Sequence, residues 1–495
     1  MIRVIYPGPA DFAAPFRYVV RHLFRIMGYK YSEGSAEGLD NVQAVLSYGA
    51  IRPDTTPEIP WLTIGAVADY QKTKQAASLQ RAFLNVDDRA DFPIQINALF
   101  DCDMPELQRA VYINQSGEPV ISRSQFDFVC RFDLIATCFY ILTLEQERRT
   151  NKRDEYGRFQ QVHCPLDNSI YDFPVIDRIA RVIRALLSSR LSGKMNALSG
   201  IWPDKKRFAV ALSHDVDRIR TWTFRKARRT LAPVIRTRPW SGLFYSAGYM
   251  FHLFVCPENW LFNFKTITQM EKKFSAASTF FFVQQRRTRI DPGYSLYSTR
   301  LRRGISIVKK AGSAIGLHGT ITAGRNAGQL QEEREGLEKA IGRTVSGCRQ
   351  HYLIFDPDKT WAAMQKAGFR FDSTLGFADA AGYRCGTGFP FHPWDPQEQK
   401  EMKLLEIPLV LMDTVLFLES KQGLTAANSR PLVYRLLDET RDNAACLTVN
   451  WHNSDLFAND LSGFSDLYQS ILEWTIEHNG WLCTLDELHN WWRLL

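Results

Sequence analysis

The sequence predicts an α/β protein of two parts, a smaller α/β domain over residues 1–200 and a closed or nearly closed (β/α) barrel over residues 201–495. Three observations lead there. From Phe208 onward, short apolar and β-branched runs alternate with helical patterns some seven times in roughly 290 residues, which implies right-handed crossovers and a parallel sheet. Residues 188–207 (SSRLSGKMNALSGIWPDKKR) mix small, polar and charged residues with two Gly and one Pro, the composition of a domain boundary. Residues able to do hydrolytic chemistry recur at the ends of the later strands. They are Asp215, Asp217, His318, Arg349, His351, Asp372 and His452. In parallel sheets such positions converge on the carboxyl-terminal rim, where catalytic sites are built.

In the first part, MIRVIYP and NVQAVLSYG read as strands with a helical pattern over 16–28 between them. Residues 132–146 are helical by spacing, 148–167 form a polar loop, and 172–191 form an amphipathic helix entered through Pro174. In the second part, FAVALSH is followed by a long basic insertion and a helix near 261–274. STFFFV leads to a helix over 299–311, AIGLHG to one over 329–341, and TVSGCRQH to one over 359–367. FRFDST, a Gly- and Pro-rich loop, KLLEIPLVL, a helix over 431–443, ACLTVNWH, a helix over 461–477 and WLCTL complete the series.

Composition narrows the function classes. With 45% hydrophobic and 23% charged residues the 495-residue chain is not disordered, and its length suits two or three domains. No apolar segment spans a bilayer, and the start lacks the apolar core of a secretory signal, so a cytoplasmic protein is expected. The nine cysteines show no CxxC spacing, and Cys102, Cys130, Cys138, Cys348, Cys446 and Cys483 lie in apolar runs as small hydrophobes, in keeping with a reducing compartment. The net charge of +8 is uneven: residues 218–238 hold Arg218, Arg220, Arg225, Lys226, Arg228, Arg229, Arg236 and Arg238 and no acid. Arg286, Arg287, Arg289, Arg300, Arg302 and Arg303 form a second cluster. Either is a solvated face or a surface for an anionic polymer or membrane peripheral to which the protein would work. No nucleic-acid module accompanies the charge, and no nucleic-acid partner is expected.

The chemistry lies in the strand-end residues. SHDVD puts Asp215 and Asp217 close together, and neighbouring carboxylates ionise together only with a cation between them. A divalent metal meets that need, one carboxylate ligating and the other accepting a proton from water. The bland reading of D-x-D is a helix cap beside a surface acid. His318 is either a satisfied core histidine or a ligand. Arg349 and His351, two apart, share one side of their strand. Arg349 can brace a carboxylate or oxyanion, and His351 can ligate or hydrogen-bond. His452, between Trp451 and Asn453, ends a buried-looking strand.

From about Phe208 to Leu485 these segments resemble the polysaccharide deacetylases, carbohydrate esterase family 4 and its relatives. SHDVD resembles the motif supplying a catalytic base and a metal ligand. GLHGTITAG resembles the metal-histidine motif, CRQHY the arginine motif, FDSTLGF the acidic segment that positions that arginine, and VNWHN the strand with the catalytic-acid histidine. RQHYLIF, DSTLGF and GTGFPFHPWD are similar to one branch of that family, and FDLIATCFYILTLEQER and DEYGRF resemble the uncharacterised domain that often precedes it.

The resemblance implies a distorted (β/α)7 barrel and a divalent metal, usually zinc, that together remove acetyl groups from an N-acetylated sugar, polymeric or lipid-linked. It implies Asp215 as base, His452 as acid, Arg349 and Asp372 as orienting residues, and Asp217 and His318 as metal ligands. The usual motifs have adjacent Asp residues and a second metal histidine; here Val216 separates the acids and Thr322 stands at the histidine's place. His351 is the expected third ligand, with His214 behind it. Trp451, Phe389, Phe391 and Trp394 are expected to stack on sugar faces. The rival readings are a glycan-binding or assembly protein on a degenerate barrel, and a glycoside hydrolase on a related one.

Overall fold

The computed structural model describes residues 1–39, 41–53, 59–84, 95–125, 127–188, 201–219, 263–418, 421–454 and 463–495. The amino-terminal unit is a nine-stranded sheet of β1 (Ile2–Ile5), β2 (Tyr31–Glu33), β3 (Ala44–Tyr48), β4 (Trp61–Ile64), β5 (Gln80–Leu84), β6 (Ile96–Ala98), β7 (Arg109–Ile113), β8 (Pro119–Arg123) and β9 (Asp127–Cys130). Its order is β2-β1-β3-β4-β9-β8-β7-β5-β6, parallel through β9 and antiparallel beyond. Helices α1 (Ala13–Met27), α2 (Tyr70–Thr73), α3 (Leu134–Leu142), α4 (Glu145–Arg148) and α5 (Val175–Ser188) pack on it. The helix expected over 132–146 is two, because Leu144 adopts a left-handed conformation (φ 60°) between α3 and α4. Asp133 caps α3 by accepting from the Ala136 amide, and all nine residues of α3 are buried.

The barrel strands are β10 (Ala209–Val216), β11 (Thr279–Phe282), β12 (Ala314–Gly319), β13 (Gly347–Gln350), β14 (Phe371–Asp372), β17 (Leu405–Glu406), β18 (Leu411–Met412), β19 (Cys446–Asn450) and β20 (Trp481–Cys483), with a hairpin of β15 (Trp394–Asp395) and β16 (Lys400–Glu401) set apart. All barrel pairings are parallel, in the order β17-β14-β13-β12-β11-β10-β19-β18, and β20 adds to the start of β10. The two outer strands belong to one stretch of chain: Leu405 and Glu406 pair with β14, and Leu411 and Met412 pair with β19. That single segment links the two edges of a curled parallel sheet, a distorted (β/α) barrel. All eight residues of β10 are buried, as expected of a strand covered on both faces. Around the sheet lie α6 (Phe264–Lys273), α7 (Thr299–Lys310), α8 (Ala327–Ile341), α9 (Thr360–Lys366), α10 (Asp413–Phe417), α11 (Ala426–Asp442), α12 (Phe464–Glu477) and α13 (Leu485–Trp492). Helix α11 starts a turn before the expected Pro431, capped by Thr425, and carries that proline in its second turn.

The Gly- and Pro-rich loop after β14 is the seam between the two units. Ile176 and Tyr383 donate backbone hydrogen bonds across it to Gly386 and Tyr171. Arg384 is forked onto Glu147, and Asp177 accepts from the Thr387 hydroxyl and the Gly388 amide. Three of the aromatic residues expected to meet sugar, Phe389, Phe391 and Trp394, lie in this seam. Phe389 stacks on Trp202, Phe391 is 1% exposed beside Trp361, and Trp394 is 9% exposed against Tyr18 and Phe139. The eight described cysteines are free thiols, and no helix among the described residues is long and apolar enough to cross a membrane.

Candidate active site

Strand alternation aims the side chains. Ser213 and Asp215 face the barrel interior, while His214 faces the helices, where its ring nitrogens meet the Trp451 carbonyl oxygen at 2.6 Å and Glu271 Oε1 at 2.8 Å. His214 is therefore not a metal ligand. Asp215 is almost wholly buried and fully engaged: Arg349 Nη1 donates to Oδ1 at 3.1 Å and Asn450 Nδ2 to Oδ2 at 2.8 Å. Arg349 is itself fixed by the Ser213 hydroxyl, the Ser373 carbonyl and the Ser373 hydroxyl, at 2.8 to 2.9 Å. Burial alone would raise the Asp215 pKa, but the Arg349 guanidinium together with the His318 and His452 imidazoles more than reverses it and holds the carboxyl below its usual range. Asp215 is ionised.

Asp217, one residue past β10, is 24% exposed and lies among three histidines. Its Oδ1 is 3.3 Å from His318 Nε2 and 3.7 Å from His351 Nε2, and its Oδ2 is 3.7 Å from His452 Nε2. The Nδ1 of His318 bonds the Arg349 carbonyl oxygen at 2.9 Å, and that of His351 meets Asp291 Oδ1 at 3.3 Å. Each Nδ1 must donate, so in the neutral rings each Nε2 presents a lone pair toward Asp217. Asp217 Oδ1 is shielded from solvent and accepts no hydrogen bond. One carboxylate oxygen and two imidazole nitrogens thus face one another, all within 4.8 Å. Charge points the same way. Asp215, Asp217, Asp291 and Asp413 outnumber Arg349 and the two imidazoles whose pKa values are raised, His318 and His452, so the cluster keeps a negative charge for a cation to offset. The residues fit a three-ligand metal with an open position.

His452 follows β19 on the side of the strand that carries Asn450. Asp413 Oδ1 accepts from its Nδ1 at 2.7 Å and Asp413 Oδ2 from its backbone amide at 2.7 Å. Burial by itself would lower the imidazole pKa; the Asp413 carboxylate, with Asp217 and Asp215 behind it, raises it to about 10. A carboxyl with a lowered pKa and an imidazole with a raised one therefore both adjoin the Asp217 cluster.

Several expected residues lie elsewhere. The register pairs Asp372 with Cys348, which is on the opposite face of β13 from Arg349. Asp372 accordingly accepts from the Thr374 amide and hydroxyl and adjoins Glu406, its partner across β14 and β17, and it does not hydrogen-bond Arg349. Ser373, the next residue, braces the arginine instead. Trp451 is turned away from Asn450 and His452 by the same alternation and packs, fully buried, against Phe464 and Tyr468, so it cannot stack on a ligand. The Thr322 hydroxyl accepts from Gln329 Nε2 at 2.9 Å. Asp291, Asp413, Ser213, Ser373 and Asn450 are site residues that motif reading missed. Of the basic insertion, residues 220–262 lie outside the described residues. In the second basic cluster Arg287 pairs with Glu332 at 2.6 Å and Arg286 donates to backbone carbonyls.

Residues 10–192 match a family of unknown function (DUF7033). No curated protein matches the chain. Among solved structures the chain is similar to one described as a polysaccharide deacetylase from Mycobacterium smegmatis (20% identity, 59% of this chain and 92% of that one, TM-score 0.40). It is also similar to an allantoinase (14% identity, 59% and 92%, TM-score 0.38) and to a CE4 family pseudoenzyme from Bacillus anthracis (11% identity, 58% and 66%, TM-score 0.30). At these identities and TM-scores the chemistry rests on the residues described above.

Proposed function

We propose that the chain is a metal-dependent hydrolase that removes acetyl groups from an N-acetylated sugar. The observation that carries the reading is that a carboxylate braced by Arg349 and Asn450, Asp215, and an imidazole tied to Asp413, His452, with pKa values shifted in opposite directions, both adjoin the Asp217–His318–His351 cluster. Enzymes assign acid and base roles by pushing the pKa values of two neighbouring groups apart in this way. The acetylated-sugar substrate follows from the motif resemblance of SHDVD, GLHG, CRQHY and VNWHN.

Asp217, His318 and His351 would hold a divalent metal of the zinc type, which would supply Lewis acidity to the hydrolysis. The rest of the chemistry belongs to side chains. Asp215 takes the proton of the attacking water. Arg349 and Asn450 hold that carboxylate in one orientation and keep it ionised before the proton arrives. His452, with Nδ1–H tied to Asp413, turns Nε2–H toward the departing amine and protonates it. Asp291 keeps His351 in the tautomer whose Nε2 can ligate.

Acetate release from chitin oligosaccharides by the full chain tests this, with the metal content of each preparation measured in parallel. Asp215→Asn should lower turnover by about 10²–10⁴-fold, the usual worth of a positioned general base, with metal content unchanged. Turnover equal to wild type removes Asp215 from the role of base. His318→Ala should lose the metal, and full metal retention removes it from the ligand set.

A further inference from the structure

A cleft of about 320 Å³ lies between the two domains, away from the metal cluster and built from other residues. Asp11, Tyr70, Lys74, Phe139 and Glu145 line it from the amino-terminal side, and Asp358, Trp361, Trp394 and Gln399 from the barrel side. Its size and its place at a domain interface are those of ligand sites. The sheet topology points to the same spot. The parallel part of the amino-terminal sheet runs β2-β1-β3-β4-β9, so the chain passes from β1 to one neighbour and then returns to the other. In open α/β sheets ligands bind beyond the carboxyl ends of the strands at such a reversal. Asp11 follows β1 and Tyr70 follows β4, which puts the cleft on that side of the sheet.

The lining specifies a chemistry. Phe139 holds both Tyr70 and Trp394 edge-on, with ring centroids 5.5 Å apart in each case, so the aromatic wall is rigid. The Tyr70 hydroxyl is buried without a partner. Both cations at the rim are already neutralised, Lys74 by Glu145 at 3.2 Å and Arg148 by Asp358 at 2.8 Å, while Asp11 adds a further acid. A phosphate or carboxylate would find no spare positive charge there. A neutral, hydroxylated ligand matches a floor of buried aromatic rings that shows only its edges, beside carboxylate, guanidinium and amide groups at the rim. Contacts crossing the domains hold the walls apart, among them Arg148 to Asp358 and the Tyr18 hydroxyl to the His392 carbonyl at 2.9 Å.

We infer that this cleft is a second site, one that binds a neutral saccharide unit. The inference stands on the cleft's own lining and does not require hydrolysis at the strand-end site. The test titrates the full chain with a glucose tetrasaccharide, which has no acetyl group, by calorimetry and by saturation-transfer NMR. Wild type and Asp215→Asn should bind alike. Gln71→Trp, which sets an indole at the exposed rim, and Asp358→Asn should each weaken binding by about tenfold or more, roughly 1.4 kcal/mol. Absence of binding by wild type overturns the inference, as does binding that both rim variants leave unchanged. Tighter binding of ATP than of the tetrasaccharide, lost in Gln71→Trp, overturns the neutral-ligand assignment.

Discussion

Replacing Glu147 by alanine would strand a buried cation. Glu147 lies in α4 of the amino-terminal domain and Arg384 in the seam loop of the barrel. Two parallel hydrogen bonds of 2.7 Å join them, and their side chains are 1% and 2% exposed. In Glu147→Ala the guanidinium keeps one carbonyl partner, Gly376 at 2.9 Å, and the faces of Phe159, Phe355 and Phe377. Exposed pairs are worth about 0.2–1 kcal/mol, whereas breaking a buried pair from one side costs about 3–5 kcal/mol. At a urea slope of about 2 kcal/mol per molar, the unfolding midpoint should fall by roughly 1.5–2.5 M. The assay is equilibrium urea unfolding followed by tryptophan fluorescence. Glu147→Met with Arg384→Met removes the charge together with its partner and should regain most of the loss. A shift under about 0.3 M in the single variant, at that same slope, would refute the reasoning. So would a double variant as unstable as the single one, since the cost would then lie in the lost pair and not in the stranded charge.

Chelation should abolish acetate release, and added zinc should restore it. Asp291→Asn, which unties His351, should weaken metal binding by about 10–100-fold in a competition titration, and unchanged affinity would detach Asp291 from the site. Because the ligands come from the ends of β10, β12 and β13, zinc at about 100 times its Kd should stabilise the barrel by about 2.7 kcal/mol; a thermal midpoint indifferent to zinc would speak against ligation. Asp413→Asn removes the carboxylate that most raises His452, so the alkaline limb of kcat/KM should move to lower pH; an unmoved limb would deny the pairing a role. Asp177 is pushed up by burial to about 7, so the folded state keeps its proton where the unfolded chain has lost it. Its contribution to stability is present below pH 4 and is lost as pH rises to 7, by about 4 kcal/mol at 1.36 kcal/mol per pKa unit. The stability of Asp177→Asn relative to wild type should therefore rise over that window, and a flat difference would sink the assignment.

The barrel was legible because its strands are covered on both faces and read as unbroken apolar runs ending in a charged or polar residue. The pairing of Arg349 with His351 followed from alternation alone. The same rule sets Trp451 opposite Asn450 and His452, and it predicts that Trp451 is not a ligand platform. Asp413 also carried a signal, since it directly follows the apolar run LVLM just as Asp215 follows AVALSH. Asp372 was different. Its face depends on pairing with Cys348, and register between two distant short strands leaves no trace in one sequence. Asp291 sits in the turn sequence DPG, which reads as an ordinary loop. In the amino-terminal domain RAVYINQSGEPVISR has two β-rich runs around a turn, the sequence mark of the β7–β8 hairpin.

A histidine four residues beyond His318 would ligate from the segment that already holds His318. Here that position is Thr322, whose hydroxyl is taken by Gln329, and the second imidazole nitrogen comes from the end of the neighbouring strand. The register pairs His318 with Arg349, so His351, two residues on and on the same side as Arg349, is carried to the rim beside His318. The rings lie 5.1 Å apart, and separate acceptors fix their Nδ1 atoms: a main-chain carbonyl for His318 and Asp291 for His351. One sheet register therefore sets both the arginine against Asp215 and the histidine against Asp217. A slip between β12 and β13 would undo the proposed base and the proposed ligand set together, which ties the proposed chemistry to strand pairing more tightly than to any single motif.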